Sequence, residues 1–154
     1  MTEERHPVER QLLAFCGIDD DEQFRRLGIF FVAHTVMDTR LISALVDCEV
    51  EQMGGGGLLS LEQLQKISDA VSSLNFKKHL DQARRLIPSR AADIAEEINR
   101  ARDSFVHFKR GRFELPRYSG QQVTEEEGFR VCMEAIQEFL HLVPFRYVGW
   151  VANP

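Results

Sequence analysis

Residues 20–52 read DDEQFRRLGIFFVAHTVMDTRLISALVDCEVEQ, and this stretch decides the fold class. Asp20 has the chemistry of a helix N-cap, and Gln23 three residues on completes a capping-box pattern. Phe24, Leu27, Phe31, Leu41 and Leu45 recur at helical spacing and predict one long helix with an apolar stripe. The four glycines from Gly54 to Gly57 cannot continue a helix cheaply, so the stretch ends there. They lack the Lys and Ser/Thr that follow in a phosphate-binding loop, which makes them a linker.

Working outward, the same period recurs nearly everywhere, with no sustained alternation of strand type. A short helix is expected at 8–16, stopped by Gly17. Ser60 and Gln63 make a second capping-box pair and open a helix over 60–74, through Leu61, Leu64, Ile67, Val71 and Leu74. Asn75 breaks it, and 76–86 reads as a shorter helix before Pro88. Over 89–108, Ile94, Ile98, Ala101, Phe105 and Phe108 form a seam at three and four spacing. Thr124 and Glu127 form the clearest capping box of all, starting a last helix over 124–143 that Pro144 ends. The expectation is an all-α protein: one helical domain over 1–154, an antiparallel bundle of four to five main helices. The apolar tail after Pro144 reads either as a lid or as a partner-binding strand.

Composition narrows function by exclusion. With 154 residues, 44% hydrophobic and 28% charged, the chain is that of an ordinary globular protein. No basic flank precedes an apolar stretch at the start, and Ile29 to Met37 is interrupted by His34 and Thr35, so the expected location is the cytoplasm, without a membrane. Cys16, Cys48 and Cys132 are odd in number and widely spaced, as buried small hydrophobes are. A net charge of −5 argues against general coating of nucleic acid. The cations are nevertheless concentrated: Arg100, Arg102, Lys109, Arg110, Arg112 and Arg117 stand against Asp103 and Glu114 alone between 100 and 117. That run is either a solvated loop or a strip that steers an RNA to one place.

At the head of the strip lies Arg102-Asp103-Ser104-Phe105-Val106-His107. On a helix Asp103 and His107, four apart, share one face, and Arg102 stands about 100° to one side of Asp103. Cation, carboxylate and imidazole converge on one wedge, which suits metal-free acid–base chemistry on a phosphodiester. The wedge lies away from the seam centred near Ala101 and Ile94, with His107 about 140° from it. Two copies facing each other across a twofold axis would enclose it.

This segment resembles the HEPN family, helical domains whose ribonuclease members carry an arginine, usually a polar residue beside it, and a histidine after four to six intervening residues. Arg102, Asp103 and His107 fill those places here. The resemblance implies a metal-independent endoribonuclease in which the RNA 2′-hydroxyl attacks the adjacent phosphate, with Arg102, His107 and Asp103 as the catalytic set and no cofactor. Arg102 would hold the scissile phosphate, His107 would move protons and Asp103 would orient it. Arg100, Lys109, Arg110 and Arg112 would bind flanking phosphates. The implied partners are RNA, a second copy in a homodimer, and a cognate antitoxin or regulator of a toxin–antitoxin or defence system. Some family nucleases have Tyr two places after the His; Lys109 stands there, so no tyrosine role carries over.

Other readings stand beside this one. Asp103 and His107 also fit a surface pair steadying the last helical turn, and the whole chain fits a non-catalytic helical module that binds RNA or acts as an adaptor. His34 and Asp38, four apart on the long helix, form a second polar pair that either supports the site or satisfies itself at a helix contact. Glu138 and His141 match the Glu-x-x-His element of a di-iron bundle, but such a site needs two of these elements and two further glutamates on facing helices, and the other copy, Glu3 to His6, falls in an N-terminus expected to fray ahead of Pro7.

Overall fold

The computed structural model describes residues 5–54, 60–107 and 114–145. Six helices lie among them: α1 (Pro7–Phe15), α2 (Asp21–Gln52), α3 (Leu61–Ser72), α4 (Phe76–Ala83), α5 (Ser89–Val106) and α6 (Glu126–Leu142). A minimal ribbon, β1 (Arg117–Tyr118) and β2 (Gln121–Gln122), joins the last two. The described residues are thus mostly helical, as the 3.6-residue period predicts.

α2 organises the rest. It touches α3, α4, α5 and α6, and its buried Leu27, Phe30, His34, Met37, Leu41 and Leu45 follow one face at three and four spacing. Phe30, Met37 and Leu41 meet Leu80 and Ala83 of α4, Ile94 and Ile98 of α5, and Ile136 and Phe139 of α6 in one core. Leu13, Ile18 and Leu27 form a smaller cluster under α1, extended by Phe31 and Phe105. Two arginines of α2 also hold both ends of α6. Arg26 Nη1 donates to the Thr124 carbonyl at 2.9 Å and Arg40 Nη1 to the Val143 carbonyl at 3.3 Å. The second bond satisfies one of the carbonyls that a helix end leaves without a partner.

α2 also passes the length and composition test for a membrane span, with a mean hydropathy of 1.5 over its most apolar 18 residues. The sequence reading expected no such run. In the fold this helix lies at the centre of the core and buries Phe30, Met37 and Leu41 completely, while Val32 and Val36 on its other side are exposed.

The caps explain most boundaries. Asp20 Oδ1 accepts from the Gln23 amide at 2.7 Å, Ser60 and Gln63 complete a reciprocal capping box, and Asn75 Oδ1 accepts from the Lys78 amide at 3.0 Å to restart the chain as α4. Gly17 leaves α1 at φ +73.

Several expectations need correction. α6 starts one residue late: Glu125, not Thr124, occupies the N-cap and gives no side-chain cap bond, while the Thr124 hydroxyl is buried without a hydrogen-bond partner among the described residues and its carbonyl accepts from Arg26. α4 stops at Ala83 instead of 86. Phe24 and Leu61, read as core, are exposed. The loop before α6 contains a hairpin, whose Ser119 and Gly120 at φ 50 and 78 give the two positive-φ residues of a tight hairpin turn. Cys132 is buried, which pushes its thiol up to about 12, while Cys16 and Cys48 are half-buried. The middle of the glycine linker and the tail beyond Phe145 lie outside the described residues.

Candidate functional site

Ala91, Ala92, Ile94, Ala95, Ile98 and Ala101 bury one face of α5, so Asn99, Arg102 and Asp103 fall at the edges of that face. The helix ends at Val106. His107 is its C-cap and leaves helical geometry at φ −99, ψ 102, although its amide still bonds the Asp103 carbonyl at 3.0 Å. The imidazole therefore stands at the helix end, not on the continuous face that spacing predicts.

Asp103 is the hub. Its Oδ1 accepts from Arg102 Nη1 at 3.0 Å, its Oδ2 accepts from Asn99 Nδ2 at 3.3 Å, and His107 Nε2 lies 3.9 Å from Oδ1. The first two are hydrogen bonds; the third is an electrostatic approach without one. The Arg102 and Asp103 side chains are half-buried, whereas that of His107 is 64% exposed. Arginine has five N–H donors, so after its bond to Asp103 the guanidinium keeps most of them for a phosphate.

Asn99 carries the constellation inward. Its Oδ1 lies 3.1 Å from Nε2 of His34 on α2. A carboxylate can only accept, so the amide facing Asp103 must be the Nδ2 end and the end facing His34 must be the oxygen. It follows that His34 presents Nε2–H. Its ring is buried and stacks on Phe76 of α4, centroids 4.3 Å apart and planes 25° apart. Burial holds the His34 imidazole below its ordinary pKa of 6.5; the Asn99 bond opposes this, Arg102 adds to it, and Asp38 and Asp103 oppose it.

The expected His34–Asp38 pair does not form. Asp38 turns to His79 of α4, whose Nδ1 lies 2.6 Å from Asp38 Oδ1 and whose Nε2 lies 2.7 Å from the Val71 carbonyl. The spacing rule sees one helix at a time, and both side chains found better partners on other helices.

Of the expected phosphate ligands, Arg100 is exposed and stands 3.8 Å from Glu96. It lines a cleft of about 220 Å³ between α4 and α5 together with Lys77, Arg84, Glu96, Asn99 and Asp103. Arg84 in that cleft is already bonded to Glu96 at 2.9 Å. Lys109, Arg110 and Arg112 lie outside the described residues. On α6, Glu138 is exposed and held by Arg90 at 3.1 Å, committed to an ion pair.

Asn99 was missed by sequence reasoning. Its signal was available as an Asn–Asp pair four apart on α5; its bond to His34, 65 residues away, had none. No family model, curated protein or solved structure matches this chain.

Proposed function

We propose that the chain is a HEPN-like helical bundle acting as a metal-independent endoribonuclease. One observation carries the reading: a single carboxylate, Asp103, brings a guanidinium to 3.0 Å and an imidazole to 3.9 Å at an exposed helix end. That set contains the two groups that cleavage through the 2′-hydroxyl requires, an imidazole to carry protons and a planar cation for the phosphate. His107 takes the 2′-hydroxyl proton as that oxygen bonds to phosphorus. Arg102 stabilises the added negative charge, and the P–O5′ bond breaks as O5′ receives a proton. A 2′,3′-cyclic phosphate and a 5′-hydroxyl result. In a homodimer the second copy's His107 supplies the proton to O5′, and Arg100 with the basic stretch after His107 holds flanking phosphates. A cognate antitoxin or regulator and a cytoplasmic location belong to the same proposal.

A second reading draws on the 3.9 Å gap itself. Asp103 already has partners in Arg102 and Asn99, so His107 fits equally an exposed helix end of a non-catalytic module that binds RNA or serves as an adaptor.

RNA cleavage by the purified protein in excess EDTA, beside Arg102→Ala and His107→Ala, separates the two. Cleavage by the wild type and none by either variant supports the nuclease. Intact RNA that is still bound supports the module, and activity lost to EDTA in the wild type removes the metal-free mechanism. Sedimentation at micromolar concentration is expected to show a dimer; a strict monomer removes the shared cleft.

A further inference from the structure

A histidine in a helical core is usually a packing residue whose ring nitrogens find backbone or water. His34 differs in where its bond leads. The ring is fixed by its stack on Phe76 and by burial in the face of α2, and among the described residues its hydrogen bond runs outward, through Asn99, to the carboxylate at the centre of the candidate site. A leucine at that position would pack against Phe76 and bring no donor. Asn99, half-buried at the edge of α5, would then lose the group that fixes its orientation, and with it the reason to offer Nδ2 to Asp103. The neighbours that face the ring are Asn99, Arg102 and Asp103 from α5, Phe76 from α4 and Asp38 one turn on in α2.

We propose that His34 is a positioning residue of the Arg102–Asp103–His107 site: its Nε2–H fixes the Asn99 amide, the amide fixes the Asp103 carboxylate, and the carboxylate aims Arg102 and His107. This rests on the ribonuclease reading for its effect on catalysis, but the hydrogen-bond relay is a property of the folded chain alone. The links from His34 to Asn99, from Asn99 to Asp103 and from Asp103 to Arg102 are hydrogen bonds of 3.1, 3.3 and 3.0 Å, and the last step, to His107, is an electrostatic approach at 3.9 Å, so the relay carries the rigidity of the α2–α4 contact to the exposed end of α5.

Two substitutions test it. In His34→Gln the amide Nε2 replaces the ring Nε2 as a donor; in His34→Leu the packing is kept and the donor is lost. Proton NMR on each folded variant reads the exchange of the Asn99 side-chain amide, which is expected to be protected in the wild type and in His34→Gln and unprotected in His34→Leu. On RNA, kcat is expected to fall about 10-fold in His34→Leu with KM within about threefold, and to be largely restored in His34→Gln. In an Asn99→Leu background, His34→Leu is expected to change kcat no further. Equal protection of the Asn99 amide in wild type and His34→Leu overturns the relay, whether or not RNA is cut. A wild type that never cuts RNA but shows the protection pattern removes the ribonuclease reading and leaves the relay standing. Additive losses in the double variant, or a His34→Gln as impaired as His34→Leu, overturn the positioning role.

Discussion

His79 and Asp38 meet at 2.6 Å with the ring 1% exposed, while His107 and Asp103 stand 3.9 Å apart with the imidazole 64% exposed. The two pairs share their chemistry and differ in what surrounds them. His79 is finished: its Nε2 meets the Val71 carbonyl at 2.7 Å, its Nδ1 meets Asp38 Oδ1 at 2.6 Å, and no ring nitrogen is left for a substrate. It ties α2, α3 and α4 together. His107 has its ring nitrogen in solvent beside a carboxylate that is itself held by Arg102 and Asn99. Burial with every partner supplied makes a histidine a staple, whereas exposure beside an anchored acid leaves it available for proton transfer.

Replacing His107 by Ala sharpens that contrast most. RNA cleavage is expected to fall about 10³-fold, the size of a lost general acid–base group, with no change in the urea unfolding midpoint. A variant that keeps its activity would put His107 in the same structural class as His79. His79→Ala should do the opposite, lowering unfolding free energy by about 2 kcal/mol, because the Val71 carbonyl and the half-buried Asp38 carboxylate each lose a partner. A loss below about 0.5 kcal/mol in urea denaturation would break the distinction from the other side.

How far the contrast was legible beforehand depends on the range of the forces involved. Helix positions were legible because caps and seams are local: Asp20, Ser60 and Asn75 lie within three residues of the amides they satisfy, and Ile94, Ile98 and Ala101 repeat along one helix. The Arg102, Asp103 and His107 cluster was legible for the same reason. Thr124 misled because packing buries it: its hydroxyl caps nothing, and its carbonyl is held by Arg26, 98 residues away in sequence. His34 and Asp38 misled in the same way: spacing proposes a pair, and the packing of α4 and α5 against α2 supplies each with a stronger partner. Proximity created by packing has no short-range signature, and for that reason Asn99 stayed hidden between a core histidine and an exposed carboxylate.

The smallest expected effect concerns His34, the bridge between the two regions. Its pKa in the folded protein is lowered, chiefly by burial, so the unfolded chain takes up a proton more readily as pH falls below 6.5. Its neutral form therefore favours folding above that value, and the advantage is lost as pH drops towards the folded pKa. His34→Gln should flatten the fall in urea unfolding free energy between pH 7 and 5.5 by less than about 1 kcal/mol. An unchanged slope would mean that His34 does not contribute to it.

The central claim, that Arg102 and His107 cut RNA through its own 2′-hydroxyl, is tested most directly by mass spectrometry of the ends left on a defined RNA after incubation in EDTA. The expected products carry a 2′,3′-cyclic phosphate and a 5′-hydroxyl, and His107→Ala yields neither. Products with a 3′-hydroxyl and a 5′-phosphate, or the same cyclic ends made equally well by His107→Ala, would contradict it.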